Sequence, residues 1–206
     1  MRNVKRMLWI AGLTVAVAAV GLVPARAGGN GKDQDGAGKY ANLTAMWWEW
    51  ILEAPTMLDG DGVNTNPVLD ATGAHATYGQ EDGQGPGDKY FFLCGSFGGD
   101  VTRTVTVPHG KAIFFPIVNW EYDNAVDPPT NYKVPKLRSI IAEFIDAIDT
   151  DDMTCTLDGV DQEIFRTKSP TFQYTVPDED SLYDWFGAVG SQFEGTIKPA
   201  VADGYW

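Results

Sequence analysis

The chain has 206 residues, with 28 Asp or Glu against 15 Lys or Arg and a formal net charge of −13. Such acidity repels nucleic-acid phosphates and anionic lipid surfaces, so neither is an expected partner. Two histidines are too few for a His-rich metal site.

The chain opens with Arg2, Lys5 and Arg6, then an apolar run from Met7 to Val23, then Ala25-Arg26-Ala27. A basic start, an apolar middle and small residues at a cleavage site form a secretory signal peptide. Residues 1–27 are therefore expected to leave on export, giving a secreted or periplasmic protein without a membrane span. Left uncleaved, a run so near the lower spanning limit of roughly 17 residues would act as an anchor. Four of the 15 basic residues (Arg2, Lys5, Arg6, Arg26) lie in this leader, so the mature chain sets eleven against 28 acids, a net charge of −17. Its length suits one domain with a real core. Its acidity favours solubility and tolerates divalent cations.

Residues 28–38 are Gly-rich and polar and read as a flexible lead-in. A helix is predicted over 39–54, because Leu43, Trp47, Trp50, Ile51 and Ala54 share one face and Pro55 ends the run. Residues 56–89 read as one long loop, a length that often carries function. Tyr90 to Cys94 is a short apolar run. Val101, Arg103, Val105 and Val107 alternate with threonines, and Ala112 to Val118 is apolar, so 101–118 reads as a hairpin turning at Pro108-His109-Gly110. Residues 119–134 read as a polar loop. Pro135 to Asp149 is a second helix, striped by Leu137, Ile140, Ile141, Phe144, Ile145 and Ile148. A second hairpin spans 153–166 around Asp158-Gly159. Thr171 to Val176 alternates again, Ser181 to Phe186 suits a helical turn, and the pattern then weakens. The expectation is a single, mainly β domain over 39–206: an antiparallel β-sandwich with two added α-helices.

No nucleophile elbow, zinc-protease motif, phosphate loop or dinucleotide fingerprint occurs, so no catalytic residue is assigned by motif. Asp59-Gly60-Asp61-Gly62 resembles the start of a calcium loop, although Val63 replaces a third ligand and no acid closes the loop. Asp33-Gln34-Asp35-Gly36 is a second partial match. Asp149, Asp151 and Asp152 cluster where a helix C-terminus disfavours negative charge. Asp59, Asp61, Asp149, Asp151 and Asp152 are therefore the candidate ligands for Ca²⁺, with hydrated loop acids as the alternative. Trp48 lies off the apolar helix face and, with Trp120 and Tyr122, offers rings to stack on a glycan, unless Trp48 packs on a sheet. Glu49 and Glu53 sit one helical turn apart and read as a solvated face. His75 and His109 read as loop and turn residues. Cys94 and Cys155 are expected either to bridge, worth about 4 kcal/mol in the chain-entropy model, or to remain separate thiols.

Trp47-Trp48-Glu49-Trp50, Asn66-Pro67, Asp70-Ala71-Thr72-Gly73, Gly79-Gln80 and Phe91-Phe92-Leu93-Cys94-Gly95 occur in that order, followed by Val107-Pro108-His109-Gly110-Lys111-Ala112-Ile113-Phe114-Phe115-Pro116-Ile117-Val118-Asn119. Together they resemble a family of uncharacterised exported bacterial proteins across most of residues 40–206. The resemblance implies no activity. It implies a cysteine pair at the places held here by His75 or Ala76 and by Val105, and further strands beyond Trp206. A C-terminally truncated domain, or one with an open strand edge, is therefore expected. Two functions fit. One is a non-enzymatic exported module, using the 56–89 and 119–134 loops and Ca²⁺ to bind a ligand or an envelope partner. The other is a secreted glycan hydrolase using carboxylates such as Glu49, Asp61 or Asp123.

Overall fold

The computed structural model describes residues 10–11, 35–80, 89–126, 128–151 and 153–206. Its elements are β1 (Ile10–Ala11), α1 (Asp35–Glu53), β2 (Tyr90–Phe92), β3 (Ala112–Phe114), β4 (Val118–Tyr122), α2 (Val134–Ile145), β5 (Thr156–Leu157), β6 (Val160–Asp161), β7 (Arg166–Lys168), β8 (Phe172–Thr175), α3 (Leu182–Trp185) and β9 (Thr196–Tyr205).

The main sheet is built on β9, which pairs antiparallel with β4 on one side and with β8 and then β7 on the other. β1, the described fragment of the expected leader, pairs antiparallel with the outer edge of β4. Val118, Trp120 and Tyr122 stand opposite Tyr205, Asp203 and Val201, so these side chains share one face. That face receives Ile141, Ile145 and Phe144 of α2, with Phe144 stacked on Trp120. The opposite face carries Ala200 and Ala202, which pack in the core of α1 with Trp47, Trp48, Ile51 and Tyr174.

Antiparallel pairing and both long helices match expectation, but a mainly β sandwich does not. Helix and strand contents are about equal, and the layers on the two faces of the main sheet are helices. α1 also starts inside the expected lead-in, at Asp35, because helix propagation is easy once a nucleus exists. The alternating segment 101–107 forms no strand: the described run has regular burial, with Arg103 and Val105 inside, but no ladder. Its neighbours pair differently from a hairpin, β2 lying parallel to β3. The predicted turn at Asp158-Gly159 is present, both residues having positive φ (53° and 76°) between β5 and β6.

The long loop is held by side chains. Asn66 donates through Nδ2 to the carbonyls of Ile51 (3.0 Å) and Ala54 (2.8 Å), closing the end of α1. Asp70 Oδ1 accepts from Thr72 N, Thr72 Oγ1 and Gly73 N, and its Oδ2 accepts from His75 N at 2.8 Å. Burial raises the Asp70 pKa, but these bonds outweigh it and hold the carboxyl below its ordinary range. Gly73 has φ +90°, and a Cβ there would meet Thr104 O at 2.6 Å. Gln80 acts as an extra strand partner for β2: Nε2 donates to Phe92 O (3.0 Å) and Oε1 accepts from Phe92 N (2.6 Å).

Arg103 ties these parts together. Its buried guanidinium donates to the carbonyls of Asp70, Cys94 (2.7 Å), Gly95 (2.8 Å) and Val68 (3.1 Å). Replacing it with a residue of similar length but no donors leaves four buried acceptors unpaired. We expect Arg103→Met to lower unfolding free energy by about 3 kcal/mol or more, read from urea denaturation followed by tryptophan fluorescence.

Candidate functional site

Two places gather groups with chemistry. The first is a cleft of about 320 Å³ along the outer side of α1, lined by Met46, Glu49, Trp50, Glu53, Ala54, Tyr78, Gly79 and Phe92. The helix supplies Glu49 and Glu53 one turn apart, a spacing that sets Cβ atoms about 5–6 Å from each other. The loop supplies Tyr78, whose side chain is exposed. Trp50 Nε1 donates to Tyr78 O at 2.6 Å, and Gly79 lies against the Trp50 ring, so helix and loop fix each other. Burial, with Glu53 as a like-charged neighbour, raises the Glu49 pKa. Glu53 is exposed, and its Oε1 accepts from Thr175 N at 2.8 Å. The wall thus combines aromatic surface with one carboxyl whose pKa burial raises and a second held in place by a backbone donor.

The second place is internal. Alternation along β4 sends Asn119, Glu121 and Asp123 to the α1 side of the sheet, where they are 0 %, 6 % and 4 % exposed. Across the ladder stand the small residues Gly204 opposite Asn119 and Ala202 opposite Glu121. Asp123 Oδ2 accepts from the Tyr174 hydroxyl and its Oδ1 from Ala125 N at 2.6 Å. Tyr174 and Tyr183 hydroxyls meet at 2.5 Å. Among the described residues, both amide atoms of Asn119, Oε1 of Glu121 and the indole nitrogens of Trp48 and Trp206 have no hydrogen-bond partner. Burial raises Glu121 well above its ordinary pKa, with Asp123 adding to the shift. Burial also raises Asp123, against the bonds from Tyr174, Ala125 and Tyr183 that favour its ionised form.

Several candidates from the sequence fall elsewhere. Trp48 is fully buried and edge-on to Trp47, and Trp120 is buried under Phe144 of α2, so neither ring is open to a sugar. Trp48 takes its alternative, packing in the core, because the sheet and β2–β3 wrap more of α1 than its apolar stripe covers. Tyr122 is half-buried beside α2. Asp59 is turned inward on its own loop: Oδ1 accepts from Asp61 N (2.9 Å) and Val63 N (2.8 Å), while Oδ2 meets His75 Nε2 at 2.7 Å. The Val63 and His75 bonds lead in holding its pKa below the ordinary value. Asp61 is exposed, Asp149 caps Asp151 N at 3.1 Å, and Asp152 lies outside the described residues. Among the described residues, no group of three or more His, Cys, Asp or Glu is placed to hold a metal. Cys94 and Cys155 are both free thiols. Cys94 is buried in the α1 core, and burial pushes its thiol up to about 12 although Arg103 opposes the shift. Cys155 is half-buried ahead of the β5–β6 hairpin. Among the described residues, no helix is long and apolar enough to cross a membrane.

Sequence reading named Asp123 and Glu49 but missed Glu121 and Asn119 as interior groups. The signal for them is the alternation Asn119, Trp120, Glu121, Tyr122, Asp123, whose polar members mask it as a loop.

The buried pair makes stability depend on pH. Glu and Asp begin from 4.5 and 3.8, and both folded values are raised. Their contribution is therefore fully present below about pH 4 and is lost as pH rises through the folded values. Glu121→Gln removes the larger part of that loss. We expect its stability relative to the parent to grow from about pH 4 to about pH 7, measured by urea unfolding at several pH values.

In comparisons with known proteins, no family model, no curated protein and no solved structure matches the chain.

Proposed function

We propose that the protein is an exported acidic module that binds a neutral glycan in the α1 cleft. The observation that carries this reading is the meeting of an exposed Tyr78, a Trp50 ring anchored through its N–H, and the two carboxyls Glu49 and Glu53 on one open wall. Aromatic faces stack on the apolar side of sugar rings, and carboxylates accept from sugar hydroxyls. The strongly negative chain favours an uncharged polymer over an acidic one. The basic-apolar leader at residues 1–27 supports export to the periplasm or beyond, where such glycans occur.

A second reading, hydrolysis of the bound glycan, is favoured by the unequal settings of the two carboxyls. Glu49, with its raised pKa, suits a general acid, and Glu53, held by Thr175 N, suits a nucleophile or base. Their shared helix turn places the two side chains on one face of α1, as a glycosidase's paired carboxyls require.

In titration calorimetry against neutral oligosaccharides, Tyr78→Ala is expected to weaken binding about tenfold, equal to loss of one stacking contact, with an unchanged far-UV spectrum. A reducing-end assay separates the two readings. The binding module releases no new ends, whereas a hydrolase releases them and loses at least about a hundredfold in rate on Glu49→Gln.

A further inference from the structure

The surface around α3 carries an apolar feature that the cleft does not use. Trp185 ends this short helix and is 52 % exposed, and Val189, on the turn that follows, is 84 % exposed. Phe97, from the loop after β2, lies nearly parallel to the Trp185 ring at 6.3 Å between centroids and edge-on to Phe186 at 5.1 Å. Phe186 in turn stands edge-on to Trp185 at 4.9 Å. Phe97 and Phe186 are half-buried and pack against the core of α1, so the exposed indole rests on a fixed base. The capping box of Ser181 and Asp184, with bonds from Gly187 N to Asp184 O (2.8 Å) and from Ala188 N to Tyr183 O (2.9 Å), fixes the turn that bears Val189. Large apolar groups held out of the core in this way mark an interaction surface.

Charge selects among partners. Residues 90–102 and 170–197, which supply these rings and their surroundings, contain no Lys or Arg. They carry Asp100, Asp178, Glu179, Asp180, Asp184 and Glu194, all exposed. Such a surface repels anionic lipid and nucleic acid, and a second copy of this chain would bring the same acids to the same place. A Lys or Arg side chain is attracted twice, by the carboxylates and by the negative face of the indole. We propose that Phe97, Trp185 and Val189 form a docking surface for a basic amphipathic segment of another polypeptide. The apolar side chains of that segment cover Trp185 and Val189, and its cations meet the surrounding carboxylates. An amphipathic helix presents both kinds of side chain on adjoining faces. None of the three residues lines the α1 cleft, so this surface is independent of glycan binding there.

The test uses the full chain and a fluorescein-labelled amphipathic peptide of sequence LKKLLKLLKKLLKL, with a counterpart in which Glu replaces every Lys. Fluorescence anisotropy is expected to give a Kd on the order of 10 µM for the Lys peptide and no binding of the Glu peptide. Raising NaCl from about 50 to about 300 mM should weaken binding severalfold. W185A is expected to weaken it about tenfold, through loss of the central ring. V189K, at a side chain with almost no burial to lose, should weaken it by a similar factor through charge and lost apolar contact. Y78A and D149N, which lie outside this surface, should bind as the parent does. Absence of Lys-peptide binding, equal binding of the Glu peptide, insensitivity to salt, or parent-like affinity in either W185A or V189K would each overturn the proposal. Two other occupants have their own signatures, and either would also overturn it. A sugar platform would show as loss of neutral-oligosaccharide binding in W185A. A second copy of the chain would show in sedimentation as a parent dimer that W185A dissociates.

Discussion

The guanidinium of Arg103 is the joint on which the surroundings of α1 depend. It gathers carbonyls from Val68 and Asp70 on the long loop and from Cys94 and Gly95 at the exit of β2. Among the described residues, no ladder joins those segments. A buried charged donor supplies what the missing ladder does not, because several short bonds to carbonyls spread the charge over fixed dipoles. From Asp70 the order continues outward, through its bonds to Thr72, Gly73 and His75, and from His75 to Asp59. The turns after His75 then deliver Tyr78 and Gly79 to the cleft. The position of an exposed aromatic ring therefore rests on a buried cation some distance away in sequence.

The main sheet is organised by the same economy of space. β9 lies between β4 and the β7–β8 side and is covered by α2 on one face and α1 on the other. Small residues at Ala200, Ala202 and Gly204 let large aromatic groups from α1 and neighbouring strands fill that side, among them Trp47, Tyr174 and Trp206. On the other face Arg166 grips Asp203 with two bonds (2.9 and 2.7 Å) and reaches Asp146 at the end of α2 (2.5 Å). Burying Asp203 is tolerable because this fork satisfies both of its oxygens.

Both helices were legible because their apolar stripes are wide and bounded by Pro55 or opened by Pro135. The β5–β6 turn was legible from Asp158-Gly159, since few residue pairs tolerate positive φ twice. β9 was not legible, although it is the longest strand, because burial on both faces removes the alternation that marks a half-exposed strand. The segment 101–107 shows the converse. Its alternation reported burial correctly, yet Arg103 spends its donors on loop carbonyls, and among the described residues Thr104 N to Thr72 O (3.1 Å) is the one backbone bond from this segment to the long loop. Alternation identifies faces, and pairing needs a partner that periodicity does not name. The motif residues Asn66, Asp70, Gly73 and Gln80 proved legible as a set but not in role: each holds backbone, and none lines the cleft through its own chemistry.

The interior acids are the clearest conflict between local chemistry and global stability. A sheet face packed against tryptophans would be more stable with apolar residues at 119, 121 and 123. Two carboxyls whose pKa values burial raises, beside an amide with no partner among the described residues, make the folded state less favourable as pH rises. The Asp203–Arg166 pair on the opposite face shows how the same sheet satisfies a buried acid when fold alone is at stake. No such cation meets Glu121 or Asp123 among the described residues, and the tyrosines that approach Asp123 leave Glu121 Oε1 unanswered. Sites that violate the rules of a packed core in this way are the places where function, not folding, sets the residue.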